Sequence, residues 1–176
     1  SKTNLVYFSA TGTTRKVIET MWDSMSGKRA DYNLLLKAVT SQVAVAADEL
    51  TVVAMPVYNG RLPAVAAESL KQFKGNGSPA IAVVVYGNRE YDDALREMKE
   101  MLEAQGFFVA GAAAFIARHS IFPQVATDRP DAKDNMVISD FAKRCLAKIA
   151  GLSSAKDNTL PEIRGNSPYK ALKGVP

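Results

Sequence analysis

The fold turns on Leu5-Val6-Tyr7-Phe8-Ser9-Ala10-Thr11-Gly12-Thr13-Thr14-Arg15-Lys16. Leu5–Phe8 is apolar without strict alternation, as expected of a strand covered on both faces. Thr14–Met25 sets Val17, Ile18, Met21 and Met25 along one helical stripe. Between them lie Ser9, Ala10, Thr11, Gly12, Thr13 and Thr14, six residues with four hydroxyls and one glycine. A helix N-cap needs only one hydroxyl. A strand–loop–helix unit with four of them, beside the free N–H groups of the first turn, can wrap a phosphate monoester. Arg15 and Lys16 stand in that turn, where the helix dipole disfavours cations; a bound dianion relieves the conflict.

Outward from this unit, Leu50–Met55, Ala80–Tyr86 and Phe107–Ile116 are further apolar runs, and Asp31–Leu36 is a weaker one with a polar start. Helical patterns alternate with them. Pro63–Phe73 carries proline just inside its start and stops before Gly75. Tyr91–Ala104 aligns Leu95, Met98 and Leu102 ahead of Gly106. Val137–Ile149 aligns Phe141, Cys145, Leu146 and Ile149, and the Ala/Val-rich Lys37–Asp48 reads as a short or irregular helix. This alternation predicts an α/β fold: a doubly wound parallel sheet joined by right-handed crossovers, with helices on both faces. From Gly151 onward Ser, Pro, Gly and Asn abound and no period survives. Residues 1–150 are therefore expected as one domain and 151–176 as an extended tail or linker.

Composition excludes several classes. The chain of 176 residues holds one cysteine, too few for a disulfide framework or a cysteine-ligated iron–sulfur cluster within one copy. One histidine argues against a multi-histidine zinc site, and no metal ligand is assigned. The net charge is +4, shared equally between body and tail, with signs mixed along the helices rather than in a basic stripe. That argues against nucleic-acid binding. No apolar run approaches the ~20 residues of a membrane span and no signal-peptide pattern opens the chain, so a cytoplasmic protein is expected.

In a doubly wound sheet ligands sit outside the C-terminal ends of the strands, at the switch in strand order. Two more exit loops are therefore candidates. Pro56-Val57-Tyr58-Asn59-Gly60-Arg61 is bracketed by Pro56 and Pro63, with Gly60 free to adopt backbone conformations closed to other residues and Tyr58 placed to cover a ring. Tyr86, Gly87, Asn88, Arg89, Tyr91 and Asp92 add close backbone approach, amide donors and acceptors, and a second aromatic. Phosphate at the first loop with polar-aromatic loops beside it implies a flat, phosphorylated heteroaromatic ligand. There is no Gly-x-x-x-x-Gly-Lys-Ser/Thr, no Gly-x-Gly-x-x-Gly after the first strand, and no carboxylate in Tyr7-Phe8-Ser9 for a phosphoryl acceptor.

Ser9, Thr11, Gly12 and Thr14 match every specified position of Ser/Thr-x-Thr-Gly-x-Thr, and over about residues 4–150 the chain resembles the flavodoxins. Its second and third loops look most like the flavodoxin half of bacterial flavodoxin–ferredoxin fusion proteins. Gly165-Asn166-Ser167-Pro168-Tyr169-Lys170 is similar to the segment before their ferredoxin half, which leaves open whether this chain continues or acts alone. The resemblance implies a five-stranded sheet of order 2-1-3-4-5 and the cofactor FMN. Its phosphate would lie on Ser9–Thr14 and its ring edges on Pro56–Arg61 and Tyr86–Tyr91, with Tyr58 or Tyr91 stacking. A peptide around Tyr58-Asn59-Gly60 is expected to reorient on reduction, so that a carbonyl accepts the proton on flavin N5. Electron-carrier flavodoxins are commonly acidic. This basic body implies easier full reduction and an acidic partner.

The expected function is electron transfer with a ferredoxin-type iron–sulfur partner. An electron-transfer flavoprotein is preferred over a self-sufficient oxidoreductase, and no catalytic side chain is assigned. The alternatives are an FMN-dependent NAD(P)H oxidoreductase acting on quinones or nitro compounds, and a redox-silent docking module that binds a phosphate ligand. Cys145 and Trp22 read as packing residues and His119 as a solvent-facing loop residue. Phe122–Lys133 reads as a long loop over the site or an interface.

Overall fold

Strand β1 (Lys2–Tyr7) lies between two parallel neighbours, β2 (Lys28–Asn33) on one side and β4 (Leu50–Pro56) on the other. β4 pairs with β6 (Pro79–Tyr86), and β6 with β7 (Phe108–Ile116), again in parallel. This computed structural model describes residues 2–87, 92–116, 132–155 and 163–164. β3 (Val43–Ala44) and β5 (Phe73–Lys74) form a separate two-stranded pair, so the main order β2-β1-β4-β6-β7 is the expected 2-1-3-4-5. A short β8 (Ile163–Arg164) from the tail adds to the outer edge of β7 at Gly111–Ala112.

Alternate side chains of the strands feed two cores. Val6, Val53, Met55, Val84 and Tyr86 pack under α2 (Ala64–Leu70) and α3 (Asp92–Ala104) with Leu70, Met98 and Leu102. Leu5, Tyr7, Val52, Ala54, Val83 and Val85 pack under α1 (Thr13–Trp22) and α4 (Ala132–Ala155) with Ile18, Met21, Phe141 and Cys145. Helices on both faces are what near-continuous apolar strands require. Gly106 ends α3 at φ +91°, the left-handed conformation that stops a helix. Cys145 is buried, and burial pushes its thiol up to about 12.

Four expectations need correction. Lys37–Asp48 is not helical; Val43 N–H bonds to the Gln72 carbonyl and Val45 N–H to that of Lys74, both at 2.9 Å. Val43 and Val45 turn inward while Ala44 is exposed, a strand's period of two that short-range composition obscured. The second helix stops at Leu70, because Phe73 leaves it for β5 and its buried ring meets Tyr32 edge-on at 5.1 Å. β2 lies three residues earlier than Asp31–Leu36. Asn33 ends it, its side chain accepting Leu35 N–H and its carbonyl those of Leu36 and Lys37. α4 extends beyond Val137–Ile149 at both ends.

Arg29 fastens β2 to α1. It donates to both oxygens of Glu19 at 2.9 and 2.8 Å and to both of Asp31 at 2.8 and 2.7 Å, with its guanidinium 5.3 Å from the Trp22 ring centroid. Hydrogen bonds from Arg29 hold both carboxylates below their ordinary range. A depressed carboxylate stabilises the fold above its unfolded pKa and loses that contribution as the pH falls through its folded one. Arg29→Ala is expected to cost about 1 kcal/mol at pH 7, a value kept small by partial exposure. In urea unfolding at a series of pH values, the difference between wild type and variant should shrink below about pH 4.

Candidate functional site

The main chain leaves β1 once Phe8 N–H has bonded to the Ala54 carbonyl at 3.2 Å. It crosses Ser9, Ala10 and Thr11 and turns into α1 through Gly12, at φ +89° and ψ −14°. Ser9 Oγ accepts Arg15 N–H at 3.1 Å, and Thr11 Oγ1 bonds to Thr13 Oγ1 at 3.3 Å. Thr14 is buried. Among the described residues, the N–H groups of Ala10, Thr11, Gly12, Thr13 and Thr14 meet no acceptor, and Gly12 supplies no side-chain cap. Ser9, three residues before the cap position, thus satisfies one N–H of the first turn. The remaining donors and hydroxyls form a loop suited to an oxyanion.

β4 is the neighbour of β1 on the side opposite β2, so strand order reverses between them and their exit loops open a crevice. The second loop folds as a two-residue hairpin in which Tyr58 and Arg61 exchange N–H···O bonds, both of 2.9 Å. Asn59 and Gly60 sit at φ +52° and +79°; positive φ at both central residues is the pattern of a type I′ turn. Val57 N–H, bonded to the Val85 carbonyl at 2.9 Å, ties the hairpin's root to β6. A cleft of about 50 Å³ lies between Ala10, Thr11, Thr13 and Thr14 on one side and Pro56, Val57, Tyr58, Val85 and Gly87 on the other.

The structure thus brings Ala10, Thr11, Thr13 and Thr14 together with Pro56–Tyr58 and Gly87, with Tyr58 47% exposed at the rim; Ser9 and Gly12 belong to the same loop but do not line the cleft. It turns other candidates elsewhere. The Tyr86 ring is buried in the core under α3. The Arg61 guanidinium is held by Glu97, Nε to Oε1 at 3.2 Å and Nη2 to Oε2 at 3.3 Å. Asn88, Arg89 and Tyr91 lie outside the described residues, as do His119 and Phe122–Asp131 of the expected long loop; Asp92 opens α3. Sequence reasoning missed Val85 and Glu97. Val85 was marked by its place at the end of an apolar strand, whereas nothing local pairs Glu97 with Arg61.

Charge at the cradle is positive. The first turn of α1 holds no acidic residue, Lys16 is exposed, and Arg15 lies over the Tyr7 ring at 5.8 Å and makes a long contact with Glu19 at 3.9 Å. Beneath, the Tyr7 phenol donates to Asp31 at 3.1 Å, and burial raises its pKa.

No family model matches the chain, and no curated protein does. Among solved structures it is similar to oxidised Flavodoxin 1 from Bacillus cereus, at 12% identity, covering 84% of this chain and 98% of that one with a TM-score of 0.65. It is similar to a Fusobacterium nucleatum flavodoxin bound to flavin mononucleotide, at 13% identity with 84% and 98% covered and a TM-score of 0.60. It also resembles the rubredoxin oxygen:oxidoreductase of the anaerobe Desulfovibrio gigas, at 14% identity and a TM-score of 0.58; the match takes in 85% of this chain but spans only 37% of that protein. The class is therefore that of the flavodoxin-like fold.

Gly12 tests the geometry of the cradle directly. A Cβ there would meet nothing within 4 Å, so substitution strains only the backbone. Gly12→Ala is expected to lower stability by about 1 kcal/mol, and Gly12→Asn by less, because asparagine tolerates left-handed φ. Urea midpoints at equal slope provide the measurement.

Proposed function

We propose that this chain is an FMN-binding, flavodoxin-like electron-transfer protein and that residues 1–150 form the binding unit. The observation that carries the reading is the set of acceptor-free N–H groups at Ala10–Thr14, in a loop whose Ala10, Thr11, Thr13 and Thr14 lie across a cleft from Pro56–Tyr58 at the reversal of strand order. These residues fit the group. Main-chain donors with the hydroxyls of Ser9, Thr11, Thr13 and Thr14 would hold the phosphate, and Arg15 and Lys16 would add favourable charge. Pro56–Arg61 would flank the ring from one side, with Tyr58 offering an aromatic face; Gly87, Asn88, Arg89, Tyr91 and Asp92 would flank it from the other. The Asn59–Gly60 peptide would present a carbonyl to the proton at flavin N5.

Bound there, FMN supplies one- and two-electron chemistry, which the protein tunes through hydrogen bonds and local charge. The single cysteine leaves this chain without the ligands for an iron–sulfur cluster of its own. As electron partner we assign a ferredoxin-type iron–sulfur centre whose acidic surface complements the net positive charge. A cytoplasmic location belongs to this reading. Among the described residues no helix is long and apolar enough to cross a membrane.

Calorimetric titration of the purified chain with FMN, riboflavin and inorganic phosphate is the test. FMN should bind and raise the unfolding temperature. Riboflavin, lacking the phosphate, should bind about 100-fold more weakly, since several charge-assisted hydrogen bonds are lost. Phosphate should compete, and Thr14→Val should weaken FMN binding about 10-fold. No heat and no thermal protection with saturating FMN overturns the reading; a bound flavin whose visible band does not bleach and recover reversibly leaves only the redox-silent alternative.

A further inference from the structure

The hairpin Tyr58–Arg61 has little to hold it in place. Its two reciprocal hydrogen bonds close a single turn, and a lone two-stranded hairpin is marginal in water. On the leading side it is rooted by Val57 N–H on the Val85 carbonyl. On the trailing side Leu62 and Pro63 are buried, and the polar hold on the turn itself comes from one carboxylate. Glu97 takes Arg61 Nε at 3.2 Å and Nη2 at 3.3 Å, and its Oε1 also receives Leu62 N–H at 3.4 Å. Three N–H donors from two consecutive residues thus converge on one side chain from α3. Leu62 beside them is buried, whereas Arg61 remains 69% exposed at its side chain. α3 begins at Asp92, directly after the Tyr86–Tyr91 stretch. The helix that anchors the second loop is the one into which the third loop leads.

We propose that Glu97 is a positioning residue: its carboxylate fixes the Tyr58–Arg61 hairpin over the cleft and couples the second ligand loop to the helix that follows the third. The consequence for flavin rests on the FMN reading above; the strut itself does not. Glu97 touches no ligand in this scheme. It restricts how far the hairpin can swing, and so raises the fraction of molecules with the cleft wall already in place.

The test has two arms. In the ligand-free chain, amide hydrogen exchange at Tyr58 and Arg61 should quicken at least about 5-fold in Glu97→Ala, with exchange in β4 and β6 unchanged. In the second arm the dissociation constant for FMN should rise about 5-fold in Glu97→Ala, as expected when a binding-competent conformer falls in population. Glu97→Gln, which can still accept Leu62 N–H, should recover part of both effects. The exchanged pair Arg61→Glu with Glu97→Arg should recover the ion pair, and Glu103→Ala on the same helix should change neither. If Glu97→Ala leaves hairpin exchange and FMN affinity at wild-type values, the strut is overturned. If the wild type takes up no FMN, the site reading falls, and the exchange arm still decides the strut.

Discussion

A helix that begins where a central parallel strand ends starts with N–H groups that its own backbone cannot satisfy. In this chain the deficit runs through consecutive residues, Ala10 to Thr14. Ser9 answers one donor, that of Arg15, and Gly12 at the cap position carries no side chain to answer another. Its φ of +89° bends the loop back over the helix start. The first turn then holds cations where acids would complement the dipole. Neither feature favours an isolated helix. Both favour an oxyanion held at the mouth of the sheet.

That mouth is in turn a product of strand order. The chain leaving β1 passes through α1 to β2 on one side, whereas the chain leaving β4 runs to β6 on the other, so the two exit loops diverge and leave a gap between them. The two cores make this gap rigid. Val17, Ile18 and Met21 seat α1 on one face of the sheet, while Met98 and Leu102 seat α3 on the other. Arg29 binds α1 to the edge strand through Glu19, and Glu97 binds the β4 loop to α3. The loop after β1 thus leads into a helix fixed in one core, and the loop after β4 is tied to a helix fixed in the other.

Much of this could be read from residue order, because it depends on local chemistry. Leu5–Phe8 followed by a short polar loop located the turn from β1 into α1, and Gly106 located the end of α3. The Asn59-Gly60 pair was also legible as a type I′ signal, beyond the permissive glycine that the reading took from it. What escaped depends on tertiary neighbours. Lys28-Arg29 does not look like a strand until α1 supplies Glu19 and Trp22 for Arg29 to lie against. Val43-Ala44-Val45 becomes a strand only because Phe73–Lys74 is presented to it. Tyr86 was expected to face a ligand, but strand alternation sends its ring into the core under α3 and leaves Val85 and Gly87 at the cleft.

The same division explains how a fold can be shared at identities of 12–14% with a full-length flavodoxin and with part of a much larger oxidoreductase. A cradle made chiefly of main-chain N–H groups asks little of side chains: small residues that do not obstruct it, a glycine able to take positive φ, and a hydroxyl or two. Apolar strands ask only for volume and period. The demanding positions are those where one side chain must find another across the fold, such as Glu97 with Arg61 or Arg29 with Glu19. These determine how firmly the loops are held and with what charge they face a partner. On the reading proposed above, the backbone of the site selects the class of ligand, and individuality among proteins of this fold is expected to lie in the struts that brace it.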